Sequence, residues 1–373
     1  MGSINAAAAT QVASENRLAQ HVTPETLCCV RRRLKSAQAP APRGMVAVGV
    51  IGCGTVGSAV AGALIEHGYE VTVHDKLRAS AEPLLGLGAG WADTPAALAR
   101  RVDVLLTALP APQHVRAAME EADGALEALP EGSLWVDHTS TDPDEPRRLA
   151  AAALARGVRY VEAPITGGVT LLRAGQMTVF LGGDPADIDS SLPFVRCYTT
   201  TQLPMGLHGS ASTAKIISNM LCAVHTVVTG EALMLAKKAG VELHSFFDAI
   251  RVSAGNSFVW ETEAPLVFNQ TFDPDFTMAL HCKDLGIGYD ISKRVGAPIE
   301  VMGLVEQIYN RARRRYGDGA GSSHPARLLQ DELQESECAA CLLAISPFWC
   351  RCLPLFCTLS LPTGRSALPS LPS

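Results

Sequence analysis

The sequence predicts an α/β chain, with a doubly wound, mainly parallel sheet followed by an all-helical domain. Three observations carry this. Short β-branched runs alternate with Ala-rich helical stretches between residues 45 and 208. A glycine-rich turn joins the first strand directly to the first helix. Beyond residue 208 the strand-like runs stop, while helical periodicity continues to residue 333.

Order begins at Met45. Val46 to Ile51 is a short apolar strand, and Gly52-Cys53-Gly54-Thr55-Val56-Gly57 follows at once. An Ala-rich helix then runs to His67, with Gly68 as its stop. Glu70–His74 is the second strand and ends at Asp75. Further strands are expected at Val102–Leu109, Leu134–Asp137, Tyr160–Ala163 and Met177–Leu181, with a helix over Pro146–Arg156 between them. One long helix is expected from Ser210 to Ala239, closed by Gly240. Helical patterns resume at Leu243–Val252, Thr277–Val295 and Pro298–Tyr316. The expected organisation is a leader over 1–44, a sheet domain over 45–208, a helical domain over 209–333 and a tail over 334–373.

Composition narrows the function classes. With 47% hydrophobic and 18% charged residues, the chain is built for a buried core. A net charge of −6 provides no global basic field for nucleic acid. Of 11 cysteines, Cys28 and Cys29 lie in the leader, and Cys338, Cys341, Cys350, Cys352 and Cys357 in the tail. The remaining Cys53, Cys197, Cys222 and Cys282 are irregularly spaced, which is no disulfide framework and points to a reducing compartment. Arg31-Arg32-Arg33-Leu34-Lys35 fits an organelle transit peptide, against which stand Glu15 and Glu25. A plain extension fits equally well, so location is mitochondrial or cytoplasmic. Pro347, Arg351 and Pro354 interrupt the apolar tail, so no membrane span is expected there. Cys338-Ala-Ala-Cys341 has metal-ligand spacing without a second pair, so no metal site is expected.

The turn Gly52-x-Gly54-x-x-Gly57 gains its meaning from context: strand before, helix after, and an acid at the end of the next strand. Gly52 permits the tight turn, Gly54 admits a pyrophosphate, and Gly57 allows close packing of helix on strand. Thr55 and Val56 open the helix, whose free N–H groups and positive end suit phosphates. These features describe a Rossmann-type dinucleotide site. Asp75 is placed to accept hydrogen bonds from the adenosine ribose, which favours NAD. Lys76 and Arg78 partly offset its charge, so NADP stays possible, and the loop alone would also fit a flavin.

Lys215 and Asn219, four residues apart on the long helix, share one face. Ile216, Ile217, Met220 and Leu221 surround them, so burial would lower the lysine pKa toward the range useful for acid/base catalysis. A lysine snorkelling at a domain edge is the plainer alternative. Thr166-Gly167-Gly168 follows a strand and offers a hydroxyl and two N–H groups, a nest suited to a carboxylate. Lys283-Asp284 supplies a second cation on a helix, or else a solvated pair. Trp260 and Phe276 are equally compatible with core and with pocket lining.

Together these segments resemble the β-hydroxyacid dehydrogenase family, particularly its 3-hydroxyisobutyrate dehydrogenases, over residues 45–333. The family's Asp-Ala-Pro-Val-Ser-Gly-Gly substrate signature is matched by Glu162-Ala163-Pro164-Ile165-Thr166-Gly167-Gly168, with Glu for Asp and Thr for Ser. Its Lys-x-x-x-Asn pair is matched by Lys215 and Asn219. Asp137-His138-Thr139-Ser140 resembles the Asp-x-Ser-Thr segment, with the polar pair inverted. Leu109-Pro110 matches the Leu-Pro cofactor loop, and Lys283 matches the lysine near the cofactor. The resemblance implies an NAD-dependent oxidation of a small hydroxy acid with Lys215 as general acid/base. It further implies carboxylate binding by Thr166, Gly167, Gly168 and Asn219. Leu109, Pro110, Ser140 and Lys283 would face the cofactor beside Gly52, Gly54, Thr55, Val56, Gly57 and Asp75. A homodimer or homotetramer is implied as well. Two rivals stand: a glyoxylate or succinic semialdehyde reductase using NADPH, and a non-catalytic, oligomeric NAD(P)-binding module. A 6-phosphogluconate dehydrogenase fits less well, since its helical domain is usually much larger.

Overall fold

A computed structural model describes residues 46–272 and 276–344. The leader, with its basic cluster and Cys28 and Cys29, lies outside the described residues, as does the tail beyond Ala344. So do the side chains of Cys338 and Cys341.

Six strands run parallel: β1 (Ala47–Ile51), β2 (Glu70–His74), β3 (Gly90–Trp91), β4 (Val104–Thr107), β5 (Leu134–Asp137) and β6 (Arg159–Glu162). Their spatial order is β3-β2-β1-β4-β5-β6. The order reverses at β1, whose neighbours are β2 and β4, so a crevice opens there at the carboxyl ends of the strands. The sheet then extends through β7 (Ile165–Thr166) and β8 (Met177–Gly182), which pair antiparallel, and β9 (Thr199–Gly206), parallel to β8. Strand β9 was not expected from the sequence. It is exposed at most positions and contains Pro204, so it shows no alternating buried face.

Alternation along each strand divides two cores. Val48, Val50, Leu106, Val136 and Val161 face helices α1 (Thr55–Glu66) and α2 (Arg78–Gly86). Ile51, Leu105, Trp135 and Tyr160 face α3 (Pro95–Ala99), α4 (Pro112–Glu120) and α5 (Asp144–Leu154). Both faces of the sheet are covered, as the nearly continuous apolar strands require. The turn after β7 enters the short helix α6 (Gly168–Arg173), and α7 (Pro185–Val195) packs on the first core.

The helical half comprises α8 (Ser210–Lys238), α9 (Leu243–Arg251), α10 (Phe258–Phe268), α11 (Met278–Val295), α12 (Glu300–Tyr316) and α13 (His324–Ala344). Helix α8 threads the bundle. Ile216, Met220 and Val227 pack on Met278 and Leu285 of α11 and Val305 and Tyr309 of α12. Further along, Leu233 and Met234 meet Trp260 and Ala264 of α10 and Ala326 of α13. Trp260 is therefore core. By length and composition α8 is apolar enough to cross a membrane, but half of its most apolar stretch is buried inside the molecule.

Two features of the helical half go beyond the sequence reading. Helix α10 was not read from the sequence because Pro265 interrupts its pattern, yet Ser257 caps it by accepting a hydrogen bond from the Trp260 N–H. Helix α13 runs from His324 to Ala344, so no element ends at the expected boundary between 333 and 334. The unbroken helix reflects the run of good helix formers Leu328–Leu333, which continues past that point without Gly or Pro.

Candidate active site

The glycine loop is shaped by contact as much as by conformation. Gly52 has φ +96°, and a Cβ there would lie 2.4 Å from the Ala108 carbonyl oxygen. A Cβ on Gly57 would fall 1.7 Å from the Gly52 carbonyl oxygen. Gly54, by contrast, has no atom within 4 Å of its Cβ position, so its space is open toward the crevice. Gly54 forms the N-cap of α1, and no side chain caps that helix end, which begins with Thr55 and Val56. Asp75 closes the loop from the next strand. Its Oδ2 accepts from the Cys53 N–H at 2.7 Å and its Oδ1 from the Leu77 N–H at 2.8 Å. Each oxygen retains a lone pair for a ribose hydroxyl. The Arg78 guanidinium lies over the Trp91 ring at 5.2 Å. Burial and the Asp75 charge push the Cys53 thiol up to about 12, leaving it unreactive.

On the other side of β1 the loops after β4 and β5 are tied together. The Leu109 N–H donates to Thr139 Oγ1 at 3.2 Å. Buried Asp137 accepts from Thr107 Oγ1 at 2.7 Å and from the Thr139 N–H at 3.0 Å. Burial outweighs these bonds and raises its carboxyl to about 6. His138, which precedes the Thr-Ser pair, is buried and neutral, lowered by burial to about 4. Its Nδ1 donates to the Ala163 carbonyl at 2.6 Å, and its Nε2 accepts from the Tyr198 hydroxyl at 2.9 Å. It is a buried strut that ties the loop after β5 to Ala163 and Tyr198.

Lys283 reaches from α11 across to these loops. Its Nζ donates to the Ser140 carbonyl at 3.0 Å and the Pro110 carbonyl at 3.3 Å. The Asp284 carboxylate is 3.2 Å from the same ammonium. The structure thus brings Leu109, Pro110, Ser140 and Lys283 together, joining the helical half to the sheet.

From that cation a polar string leads to Lys215. Asp284 Oδ2 accepts from Asn219 Nδ2 at 2.6 Å, and Asn219 Oδ1 accepts from Lys215 Nζ at 3.0 Å. Lys215 is half-buried. Burial holds its pKa below the usual lysine value, while the Asp284 charge opposes that shift. The Asn219 amide, expected on the substrate, is committed on both atoms to Lys215 and Asp284. Its backbone carbonyl also accepts from His281 Nε2 at 3.0 Å.

Sequence reasoning gave a role to Lys283 as a second cation but none to Asp284, which entered only through the alternative of a solvated pair. Only 2% of Asp284 is exposed. The signal lay in helical spacing, because Asp284 follows Lys283 on a helix whose other face is the bundle core. We predict that Asp284→Asn lowers turnover by about tenfold or more, through loss of order in Asn219 and Lys215. Asp284 raises the Lys215 pKa, so its removal moves the loss of the Lys215 proton, and any pH dependence that follows it, to lower pH. Rates measured across pH for both proteins check the direction, and an upward or absent shift contradicts the assignment.

Thr166, Gly167 and Gly168 form the turn from β7 into α6. Gly167 has φ +131° and Gly168 φ +76°, backbone conformations that favour glycine at both positions of the turn. Thr166 and Gly167 are half-buried and Gly168 is exposed, so the turn is open to a ligand.

Residues 47–206 match the family model described as the NAD binding domain of 6-phosphogluconate dehydrogenase. Residues 209–329 match the model described as NAD-binding of NADP-dependent 3-hydroxyisobutyrate dehydrogenase. A probable 3-hydroxyisobutyrate dehydrogenase-like 1, mitochondrial, from Arabidopsis thaliana is 30% identical over 73% of this chain and 81% of its own length. The chain belongs to the β-hydroxyacid dehydrogenase family. It is an NAD(P)-binding oxidoreductase acting on CH–OH groups. The rat mitochondrial 3-hydroxyisobutyrate dehydrogenase is 29% identical over 75% of this chain and 86% of its own. A Mycobacterium tuberculosis 3-hydroxyisobutyrate dehydrogenase, solved with L-serine, superposes with a TM-score of 0.71 at 26% identity, covering 77% of this dehydrogenase and 99% of that chain.

Proposed function

We propose that this dehydrogenase oxidises a small β-hydroxy acid of the 3-hydroxyisobutyrate type to its semialdehyde, with NAD as oxidant and Lys215 as general acid/base. The observation that carries the reading is the string Lys215–Asn219–Asp284–Lys283, which runs from a half-buried amine to the Ser140 and Pro110 carbonyls. A bound nicotinamide would supply the hydride acceptor for the hydroxyl-bearing carbon. The neutral amine of Lys215 takes the hydroxyl proton as the C=O bond forms; in the reverse direction its ammonium returns that proton. Thr166 and the N–H groups of Gly167 and Gly168 hold the substrate carboxylate, and holding both reactants in register supplies much of the rate. In this geometry Asn219 serves Lys215 first, with one amide hydrogen left for the substrate. Ser140 orients the nicotinamide carboxamide.

Asp75 favours NAD over NADP, since a 2′-phosphate would meet its carboxylate. A homo-oligomer is part of the reading. Ile217, Leu221, Val228 and Leu235 are exposed on α8 and fall within about 40° of one another around the helix axis. A second copy would cover that stripe, giving a homodimer or homotetramer whose mass sedimentation reads directly.

Rates with NAD and with NADP against 3-hydroxyisobutyrate, 3-hydroxypropionate, serine, tartronate and 4-hydroxybutyrate test the substrate class. The highest kcat/KM is expected with NAD and 3-hydroxyisobutyrate. Faster reduction of glyoxylate or succinic semialdehyde with NADPH would replace this reading with that of a reductase. Cofactor binding without turnover on any of them would leave only a binding module.

A further inference from the structure

We propose that Glu162 is a positioning residue, whose buried carboxylate sets the place of Lys215 against the Thr166–Gly168 turn by gripping the first turn of α8. The inference rests on the reading of Lys215 as proton carrier. Glu162 ends β6 and is 2% exposed. Its Oε1 accepts from the Gly209 N–H at 2.6 Å and the Ala211 N–H at 3.1 Å. Its Oε2 accepts from the Ser212 N–H at 3.1 Å and from Ser212 Oγ at 2.6 Å. These are N–H groups that an α-helix leaves without internal partners, so a distant strand supplies the cap that α8 lacks locally. The anion is balanced by the positive end of the helix and by charge-assisted bonds.

The position of this grip matters for the chemistry. Lys215 lies three residues past Ser212, about 4.5 Å farther along the axis. Thr166 lies four residues past Glu162. One carboxylate therefore spans the base of the carboxylate-binding turn and the base of the helix that bears the amine.

The neighbouring backbone makes room for it. Glu162 pairs with Gly182 across the antiparallel β6–β8 contact. A Cβ on Gly182 would lie 2.1 Å from Glu162 Oε1. Gly182→Ala should therefore push the carboxylate off the helix end without removing its charge.

The test uses the full-length enzyme with Glu162→Gln, Glu162→Asp and Gly182→Ala. NADH binding is read by fluorescence titration, and kcat and KM on the best substrate are measured. In E162Q one amide group must face N–H donors, so kcat should fall on the order of a hundredfold. NADH affinity should stay near wild type, because the cofactor loop lies elsewhere in the sheet. Aspartate is the poorer match in length but keeps the anion, so E162D should recover at least about tenfold of that loss. G182A should resemble E162Q. A side chain that merely filled space would give the reverse order, with Gln above Asp. That order, or wild-type kcat in E162Q or G182A, overturns the proposal. Should E162Q yield no folded protein, G182A against wild type decides alone. Normal turnover in K215A would remove the underlying reading instead, so the two failures are told apart.

Discussion

Lys215→Ala is expected to bind NADH normally and to lose turnover by about 10²- to 10⁴-fold, the range general acid/base catalysis supplies. The alanine removes the amine but leaves the loop of Gly52 to Gly57 and the Asp75 contacts untouched. Its effect should therefore fall on kcat, with cofactor affinity unchanged. The pH dependence carries a defined sign. In the proposed reaction oxidation needs the neutral amine, so its rate is expected to rise with pH as Lys215 loses its proton. Burial lowers that pKa, so the rise comes earlier than an exposed lysine would give. The reverse reaction, on the same proposal, needs the ammonium, and its rate is expected to fall over the same interval. Stopped-flow rates in both directions check the pair of slopes.

Gly57→Ala has the next largest expected effect, and it acts on the fold as well as the cofactor. The new methyl would sit 1.7 Å from a backbone oxygen, which no rotamer change relieves. The loop or α1 must shift, at a cost of about 3 kcal/mol or more, beyond ordinary overpacking. Both the melting temperature and NADH affinity should drop. Gly54→Ala makes the contrast, because its methyl meets nothing within 4 Å. It should melt like the wild type yet bind NADH at least about tenfold more weakly, since the methyl occupies the path of the pyrophosphate. Equal melting and equal affinity in G54A would mean that the dinucleotide lies elsewhere.

These two sites differ in how legible they were. The glycine loop declares itself because each glycine answers a local demand, set by residues a few positions away. The long helix declares itself through the periodicity of Ile216, Met220 and Val227 and its stop at Gly240, which has φ +78°. The string from Lys215 to Lys283 was only half readable. Asn219 follows from helical spacing, but the partnership with Asp284 joins residues 65 positions apart. Burial of that carboxylate depends on how α8 packs on α11. Glu162 hid for the same reason, since its partners lie 47 to 50 residues away. His138 sat inside a segment matched to the nicotinamide side and proved to be a neutral strut, because β6 and Tyr198 enclose it. Helix α10 and strand β9 each contain a proline that breaks the local pattern, and tertiary packing overrides it in both.

Transfer of one proton to Lys215 in step with hydride is the claim on which the mechanism turns. Single-turnover formation of NADH from 3-hydroxyisobutyrate, followed against pH in the wild type and in Lys215→Met, probes that transfer apart from product release. The expected result is a wild-type rate that climbs through one ionisation below the usual lysine value, and a variant that is slow at every pH and shows no such climb. Hydride transfer in the methionine variant at the wild-type rate, or with the same ionisation intact, would contradict it.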